Sequence, residues 1–319
     1  MYIRLRIMKE QTIIVNVYGA GAYGENATLR ATLYDNENNS ISGRMIIFEI
    51  YNETTGLWEY LANGTTDLYG FVEVACAVNL PKGNYTIRAR FDGDQYYVSS
   101  IGIGNVAIGR EFTILTVFNV TGKYLDVVSI VALCTDDDKP TPSPVVGANI
   151  TFLYFDGTQN VTIGVAETNS SGYAVINFTL DITPGNYTLY AVFDGNSNYY
   201  GSQGKAFLVI DKLCVIISTP YAEGNYTDMA TLVVQALDEK NRPYIGEIFL
   251  ELNDSGKWIT IGQTYTNESG YAEFTINLNL TPAEYALRIR VPESVYYIES
   301  LSDIGRLTIY QEVTSINIV

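Results

Sequence analysis

Residues 83–93 read GNYTIRARFDG, and residues 185–195 read GNYTLYAVFDG. A fainter third copy, AEYALRIRV, occupies residues 283–291. The aligned tyrosines lie 102 and 98 residues apart, at Tyr85, Tyr187 and Tyr285. Repetition at a fixed period is the mark of a tandem array, so the chain is predicted to hold three units of about 100 residues.

A second motif precedes each copy: a threonine, then four residues later a glycine and an aromatic residue. It reads TDLYGF at 66–71, TNSSGY at 168–173 and TNESGY at 266–271. Its glycines are expected at a turn position with positive φ, which glycine adopts without strain: Gly70, Gly172 and Gly270.

Composition limits the classes of function. The chain has 319 residues and a formal net charge of -16, so it lacks the surplus of lysine and arginine that nucleic-acid phosphates attract. It has no histidine, which removes the commonest general base and the commonest transition-metal ligand. No run of eighteen apolar residues occurs, so no direct membrane span is predicted.

Alternating apolar and polar residues dominate the pattern, as at 27–33, 46–50, 173–180 and 231–237. Turn residues interrupt these runs at intervals near ten, and no segment keeps helical periodicity for three turns. Many short strands at even spacing predict an all-β chain, a tandem array of three immunoglobulin-like (Ig-like) antiparallel β-sandwiches. In such folds a tyrosine hydrogen-bonds back across the loop before the sixth strand, and the candidates for this tyrosine corner are Tyr85, Tyr187 and Tyr285.

These motifs resemble the Ig-like domain repeats of bacterial and archaeal secreted surface proteins. The resemblance rests on the threonine–glycine–aromatic step and on the run from Gly83 that ends at Tyr97, and the second repeat keeps both through Tyr200. The third repeat has Pro292-Glu293 in place of the Asp-Gly turn but keeps Tyr296-Tyr297. The resemblance covers nearly the whole chain. It implies the fold, and it implies S-layers, pilus-like filaments or adhesin arrays as settings.

The repeats are joined without a Gly/Ser-rich or Pro-rich linker. The strand at 106–108 leads through Gly109-Arg110 into 112–117, and the strand at 206–210 leads through Asp211-Lys212 into 213–217. Joints this short predict a stiff rod. The predicted domains are 11–109, 110–210 and 211–310, preceded at 1–10 by the end of an earlier strand or a terminal extension.

Residues 311–319 resemble the first strand of a further domain. Two explanations are open. The chain is a window from a longer array, which also accounts for the lack of a signal-peptide pattern, or the segment is a donor strand that completes a neighbouring subunit. An apolar strand without a partner favours aggregation. The predicted assembly positions are Val313, Ser315, Ile316 and Ile318, with 12–17 as the other assembly element.

Asn-x-Ser/Thr sequons exceed the number that chance gives. Alternation on strands explains some, because it places both polar residues on the solvent face. It does not explain sequons predicted in loops, at Asn52, Asn63, Asn253 and Asn267. We therefore predict a secreted chain that carries several glycans. The fifteen sequons are at Asn26, Asn38, Asn52, Asn63, Asn84, Asn119, Asn149, Asn160, Asn169, Asn177, Asn186, Asn225, Asn253, Asn267 and Asn279.

Catalytic and cofactor signals are weak. No histidine, Gly-x-Ser-x-Gly elbow or phosphate loop occurs, and acidic residues fall in turns that recur in each repeat, so we predict no enzyme and no cofactor. Calcium is the one ion to consider. The acidic run Asp136, Asp137 and Asp138 is the best candidate site, ahead of the turns at 92–94 and 194–198, although turn formation alone explains these residues.

The three cysteines Cys76, Cys134 and Cys214 lie at non-equivalent points of the repeat. A disulfide repeated in every domain is therefore excluded, and an odd count leaves at least one thiol free or intermolecular. We expect them to act as small apolar residues in strands.

The leading hypothesis from the sequence is a non-catalytic, glycosylated structural subunit of an extracellular cell-surface assembly, an S-layer component or a pilus-like filament. Its partners are copies of itself or other cell-surface proteins. The alternative is an adhesin stalk or a carbohydrate-binding accessory module, in which Trp58 and Trp258 present flat faces to sugars. A packing role for both tryptophans is also open.

Overall fold

The computed structural model of the chain describes residues 8–138 and 141–313. All of its regular structure is β, and these residues contain no helix, hence none long and apolar enough to cross a membrane. The 24 strands are β1 Thr12–Ala22, β2 Asn26–Asp35, β3 Met45–Asn52, β4 Leu57–Thr65, β5 Phe71–Ala77, β6 Gly83–Phe91, β7 Ser100–Gly109, β8 Thr113–Val117, β9 Val120–Lys123, β10 Val127–Asp136, β11 Asn149–Phe155, β12 Asn160–Glu167, β13 Tyr173–Thr179, β14 Gly185–Gly195, β15 Tyr200–Asp211, β16 Val215–Ile217, β17 Tyr221–Asn225, β18 Met229–Asp238, β19 Glu247–Asp254, β20 Lys257–Tyr265, β21 Tyr271–Asn277, β22 Glu284–Val291, β23 Ser300–Leu301 and β24 Gly305–Tyr310.

The first repeat is held together by a strand that serves both layers of its sandwich. Strand β1 pairs antiparallel with β2 and then parallel with β7, and its register with β2 shifts between Val15 and Tyr18. Asn16, inside this shift, has a φ of 54°. The strand order β4-β3-β6-β7-β1-β2-β5 is therefore continuous.

The later repeats divide the same first strand into two pieces. In the second repeat, the first piece is β8, which belongs to the sheet β13-β10-β8. The second piece is β9, which belongs to the sheet β12-β11-β14-β15-β9. In the third, β16 joins β16-β18-β21 and β17 joins β17-β24-β22-β19-β20, with β23 beside β22. The last strand pairs parallel with the first in all three repeats, through β1–β7, β9–β15 and β17–β24.

Predicted and observed strands agree where alternation is strong. The runs at 27–33, 46–50 and 231–237 lie inside β2, β3 and β18, and the run at 173–180 exceeds β13 by one residue. Their inward side chains form the core: Leu29, Phe48 and Phe152 are fully buried, as is Cys134 in the role of a small apolar residue. The chain is thus an all-β tandem array of Ig-like sandwiches.

Strand pairing stays within 12–109, 113–211 and 215–310, so β15 runs one residue past the predicted boundary at 210/211. The compact units of the chain differ from these three ranges. The described residues of Met1–Phe118, Val131–Ile176 and Leu189–Ala206 form one compact unit, and those of Asn119–Ile130, Asn177–Thr188 and Phe207–Val319 form the other. The boundaries at 109/110 and 210/211 therefore stay predictions.

The glycines of the threonine–glycine–aromatic motif adopt the predicted positive φ: 71° at Gly70, 79° at Gly172 and 79° at Gly270. A Cβ at Gly70 would also lie 2.4 Å from the carbonyl oxygen of Leu33. Glycine is required here for its backbone conformation and for the close approach of the second strand.

Two glycines of the last strand have a role that the sequence did not predict. A Cβ added at Gly104 would lie 1.7 Å from the carbonyl oxygen of Val17, and one added at Gly305 would lie 1.7 Å from that of Pro220. Both sit where the first strand moves from one layer to the other. The crossing is therefore possible only because the last strand has no side chain at that point.

Replacing Gly70 by alanine is expected to lower the stability of the first repeat by more than about 2 kcal/mol, because backbone strain of about 1–3 kcal/mol is joined by the clash with Leu33. The matched control is Gly24→Ala. Gly24 has a φ of 84° but open space around it, so only the strain of about 1 kcal/mol applies. The loss of stability in both variants is measured by native-state hydrogen exchange of core amides in β2 and β3. Equal losses would show that the clash at Gly70 is relieved.

Candidate functional site

Each repeat is fastened at its start by a pair of backbone hydrogen bonds, which we call the joint clasp. Glu111 donates its N–H to the carbonyl of Asn198 (2.9 Å) and accepts from the N–H of Tyr200 (2.8 Å). Glu10 makes the same pair with Tyr96 and Val98. Leu213 makes it with Tyr296 and Ile298, at 2.9 Å each, so all three repeats share the clasp.

The loop that receives the clasp owes its shape to one side chain. The carboxylate of Asp94 accepts the N–H groups of Tyr96 and Tyr97, and the amide oxygen of Asn196 accepts those of Asn198 and Tyr199. In the third repeat, the hydroxyl of Ser294 accepts the N–H of Tyr297. These side chains form turns, which is the alternative to calcium ligation considered for them.

The structure corrects the alignment of the tyrosine pairs. The joint clasp bridges Glu10 to Tyr97, Glu111 to Tyr199 and Leu213 to Tyr297. Tyr199 is therefore the counterpart of Tyr97. Tyr200, which the sequence alone paired with Tyr97, corresponds to Val98. Tyr97 and Tyr199 both lie twelve residues after the corner tyrosine of their repeat, so no residue is inserted, and Asn198 stands where the first repeat has Tyr96.

The joint between the first and second repeats brings a tyrosine of one repeat against the loop of the next. The ring of Tyr23 meets that of Tyr199 edge-on, with centroids 5.2 Å apart. The backbone N–H of Lys82 donates to the side chain of Asn198 at 3.3 Å. Tyr23 follows β1 directly, so one end of the first strand supplies the contact to the next repeat.

The joint between the second and third repeats uses the same kind of aromatic contact and adds ion pairs. Tyr124 lies against Tyr296, with centroids 4.7 Å apart. The ammonium group of Lys123 lies 2.5 Å from the carboxylate of Glu239, and that of Lys212 lies 2.6 Å from Glu293. A third pair joins Lys240 to Asp126.

Sequence reasoning missed these joint residues, although a signal was present. Tyr23, Tyr124 and Tyr226 each follow the first strand, and an acidic residue stands two positions after each of them. The motifs around Tyr85 are longer and more similar between repeats, and this short pattern is visible only when the first strands are superimposed.

The three predicted tyrosine-corner residues make one and the same hydrogen bond. The hydroxyl of Tyr85 donates to the carbonyl of Pro81 at 2.8 Å, that of Tyr187 to Thr183 at 2.5 Å and that of Tyr285 to Thr281 at 2.7 Å. Each bond spans four residues across the loop before the sixth strand of its sandwich. A bond of this kind contributes about 1 kcal/mol and fixes the loop.

The acidic run at 136–138 does not act as one cluster. The carboxylate of Asp136 is buried and accepts the N–H of Ser143 at 2.7 Å, which forms a turn. Asp138 instead joins Glu25 and Glu111, whose carboxylate oxygens lie within 4.8 Å of one another. Among the described residues, this set has a spacing that suits a cation, whereas calcium at Asp136, Asp137 and Asp138 stays a prediction.

Two carboxyl groups of this cluster, those of Glu111 and Glu25, have a raised pKa. Burial raises the pKa of Glu111 to about 7, and the neighbouring carboxylates of Asp137 and Glu25 add to the rise. The pKa of Glu25 is raised as well, first by burial and then by Asp138. At the other joint, the Lys240 ammonium lowers the pKa of Asp126.

Each tryptophan ring has an arginine guanidinium over one of its faces. The guanidinium of Arg88 lies over Trp58, 4.5 Å from its centroid, and that of Arg288 lies over Trp258 at 4.2 Å. Carboxylates hold both arginines in place: Glu49 accepts from Arg88 at 2.7 Å, and Glu251 does so from Arg288. This arrangement favours the packing role for both tryptophans.

Thirteen of the fifteen sequon asparagines are exposed, and Asn52 and Asn253 are half-buried. Three of the four predicted loop sequons have a structural use. Asn52 accepts the N–H groups of Thr54 and Thr55, Asn253 accepts that of Gly256, and Asn267 accepts those of Ser269 and Tyr271. The loop placement itself holds only for Asn267, since Asn52 ends β3, Asn63 lies inside β4 and Asn253 lies inside β19.

This turn chemistry explains part of the excess of asparagine. Asp67, which cannot carry an N-linked glycan, occupies the position of Asn267 in the first repeat and accepts the N–H groups of Tyr69 and Phe71 in the same way. Since the turn needs a short acceptor side chain, asparagine at this position does not by itself indicate a glycan.

The predicted assembly positions are only partly described. Strand β24 ends at Tyr310, and Val313 is 89% exposed. Ser315, Ile316 and Ile318 lie outside the described residues. The other assembly element, 12–17, is inside β1 and already pairs with β2.

No family model matches the chain. The inverse autotransporter adhesin YeeJ of Escherichia coli is 27% identical over 263 residues, which cover 78% of this chain and 11% of that protein. The chain thus spans about a tenth of the length of that relative.

Three solved structures are similar to the chain at TM-scores below 0.5. Invasin, a bacterial integrin-binding protein, has a TM-score of 0.43 at 14% identity, over 95% of this chain and 60% of invasin. A tetra-tandem repeat from the extending region of a large adhesion protein scores 0.40 at 12% identity, over 93% and 74% of the two chains. An I-band fragment of titin scores 0.35 at 12% identity, over 95% and 100%.

Cysteine reactivity offers a direct test of packing. Burial raises the pKa of Cys134 to about 11 and raises that of Cys76 as well, whereas Cys214 is half-buried beside a joint. Iodoacetamide is expected to modify Cys214 roughly tenfold faster than the other two in the native protein. The modification rate of each cysteine is measured by mass spectrometry of tryptic peptides, with denatured protein as the control. Rapid labelling of Cys134 would contradict the buried position.

Proposed function

We propose that the chain is a non-catalytic stalk segment of an extracellular surface adhesin. The observation that carries this proposal is the parallel pairing of the first and last strands in every repeat. Five residues, from Tyr18 to Ala22, pair with β7, and five, from Tyr221 to Asn225, pair with β24. A pull on the two ends of a repeat loads such a ladder in shear, so its hydrogen bonds must break together.

The joints support the same function. Each joint clasp anchors the incoming chain by two backbone bonds within a few residues of the preceding repeat, and aromatic rings meet across two joints. Little free chain is left to absorb extension. Force applied to one repeat is therefore passed to the next through hydrogen bonds and ring contacts.

The sequence similarity to an adhesin favours the stalk over the S-layer or pilus-like hypothesis. This proposal includes surface display, partners among other surface molecules and glycans at exposed sequons. In the carbohydrate-binding version of the alternative, the tryptophans are the binding residues. Their stacking under arginine speaks for the stalk version.

The shear mechanism can be tested where the pairing of β17 with β24 begins. The N–H of Arg306 donates to the carbonyl of Pro220 at 3.1 Å. Arg306→Pro removes this donor. In single-molecule pulling through the chain ends, we expect three unfolding steps, one of them at lower force in this variant. The matched control Arg306→Ala keeps the N–H and should retain the force. An unchanged force in Arg306→Pro would contradict the shear mechanism.

Sedimentation distinguishes the stalk from a self-assembling subunit. A stalk segment is expected to remain monomeric up to concentrations of about 100 μM, because specific association at lower concentration needs more than about 5 kcal/mol. A polymer that disappears on removal of residues 313–319 would instead support the filament hypothesis and donor-strand pairing.

A further inference from the structure

The first repeat differs from the others in the length of one hairpin. The third residue pair after the register shift closes each hairpin: Tyr51–Trp58 in β3–β4, Phe155–Asn160 in β11–β12 and Asn253–Trp258 in β19–β20. Six residues lie between the paired residues in the first repeat, and four lie between them in each of the others. The hairpin of the first repeat is therefore two residues longer.

This longer hairpin forms one side of a cavity of about 340 Å³, which we call the hairpin pocket. The start of β6 and the loop before it form the other side. Pairing between β3 and β6 ends at Ile50 and Ile87, although β3 continues to Asn52 and β6 begins at Gly83. The two strands are thus no longer paired where the pocket lies. Its volume is at the lower end of the range for small-ligand sites, which is about 300–1,000 Å³.

The apolar lining of the hairpin pocket includes two aromatic residues. It comes in part from Leu80, Tyr51 and Tyr85. The ring of Tyr51 lies against that of Trp58, with centroids 5.3 Å apart, and the hydroxyl of Tyr85 donates to the carbonyl of Pro81. Both tyrosine rings are therefore fixed before any ligand binds. Flat ring faces suit the apolar C–H faces of a pyranose sugar.

The polar lining offers hydrogen-bond acceptors and, among the described residues, no lysine or arginine. It contains the carboxylates of Glu53 and Glu59, the hydroxyl of Thr54 and the amides of Asn52 and Asn84. Among the described hydrogen bonds, Glu59 accepts one, from Asn52 at 2.6 Å, and the carboxylate of Glu53 accepts none. Without a cation the pocket does not suit an anionic ligand. Acceptors beside aromatic rings suit a neutral ligand that carries several hydroxyl groups.

Two sequon asparagines line the pocket, and they differ in their freedom to carry a sugar. Asn52 uses both ends of its amide, since its oxygen accepts the N–H groups of Thr54 and Thr55 and its nitrogen donates to Glu59. A sugar on that nitrogen would have to displace Glu59. Asn84 is exposed, and its side chain makes none of the described hydrogen bonds. Its amide nitrogen can therefore be modified without the loss of a bond in the fold.

We propose that the hairpin pocket binds a pyranose sugar, and that this sugar is the first unit of a glycan carried by Asn84. In the transfer, Nδ2 of Asn84 forms a bond to the anomeric carbon of the sugar. The bond between that carbon and the phosphate of a lipid-linked sugar donor breaks, with its electron pair left on the phosphate oxygen, and the amide proton leaves to a base of the transferring enzyme. The first sugar then lies beside Tyr51 and Tyr85 without an intervening linker.

This inference rests on the proposed function in one respect, since it requires a secreted chain that meets a glycosylation enzyme. The sugar would cover the place where β3 and β6 are no longer paired and would fix the longer hairpin. The pulling experiment that tests the stalk needs no glycan, so the two proposals can fail separately.

Asn186 is the matched control for Asn84. It occupies the same position in the second repeat, in the same tripeptide Asn-Tyr-Thr, and is also exposed. It lines a different cavity, beside Lys123 and Lys212, whose described lining contains no aromatic residue. A sugar on Asn186 therefore has no ring to pack against in that cavity.

The contact can be measured in the folded full chain with an amidase that cleaves the bond between asparagine and sugar. The chain is secreted from a host that transfers N-linked glycans, and mass spectrometry identifies the occupied asparagines. We expect a glycan on Asn84 and none on Asn52. The glycan on Asn84 is expected to be released about tenfold more slowly than that on Asn186, because the amidase acts only on the fraction of molecules in which the sugar has left the pocket. In denatured protein the two rates should be equal.

Two variants of Tyr51 isolate the role of its ring. Tyr51→Ala removes the ring and should bring release at Asn84 to the rate at Asn186, whereas Tyr51→Phe keeps the ring and should retain slow release. An unoccupied Asn84, an occupied Asn52 or equal release rates at Asn84 and Asn186 in the folded chain would overturn the proposal. Slow release that persists in Tyr51→Ala would overturn it as well.

A free sugar distinguishes the chain's own glycan from a sugar on another molecule. The variant Asn84→Gln has no glycan at this position. Its titration with N-acetylglucosamine, followed by nuclear magnetic resonance, is expected to give a Kd only in the millimolar range, because an attached sugar is present at an effective concentration of that order. A Kd in the low micromolar range would show that the pocket takes its sugar from a partner molecule, and would overturn the assignment to Asn84.

Discussion

The first strand of each repeat is shared between the two layers of its sandwich, and the rest of the structure depends on this sharing. An Ig-like sandwich has two sheets, each with backbone groups that need partners. A strand that pairs first with one sheet and then with the other ties them together. In the first and third repeats it can cross only because Gly104 and Gly305 leave room for its backbone. Where it ends, it also fixes the place of the next repeat.

That position explains why the joints are so regular. The tyrosine after the first strand lies at one end of the sandwich, and the joint clasp of the following repeat lies at the end that faces it. Each joint therefore has one set of backbone contacts, repeated without change, and one set of side chains that differ.

Burial decides what these side chains do. An exposed acidic residue in a turn is unremarkable, and most of the acidic residues here shape turns, as Asp94 and Asp136 do. Glu111 differs because its clasp position is buried, so that its charge is opposed both by lost solvation and by its neighbours. The same chain length and the same backbone therefore give two joints of different chemistry.

The sequence by itself determined the period, the strand class, the positive φ of Gly70 and its counterparts, and the tyrosines that close the loop before the sixth strand. These features are local, since alternation, turn chemistry and motif spacing act within about ten residues. Tertiary structure alone decided that Asn52 and Asn267 cap turns, and that Asp138 faces Glu25 rather than Asp136. Glu25 and Asp138 are more than a hundred residues apart in the sequence. Whether their carboxylates meet depends on how one folded repeat contacts the next, which no local pattern encodes.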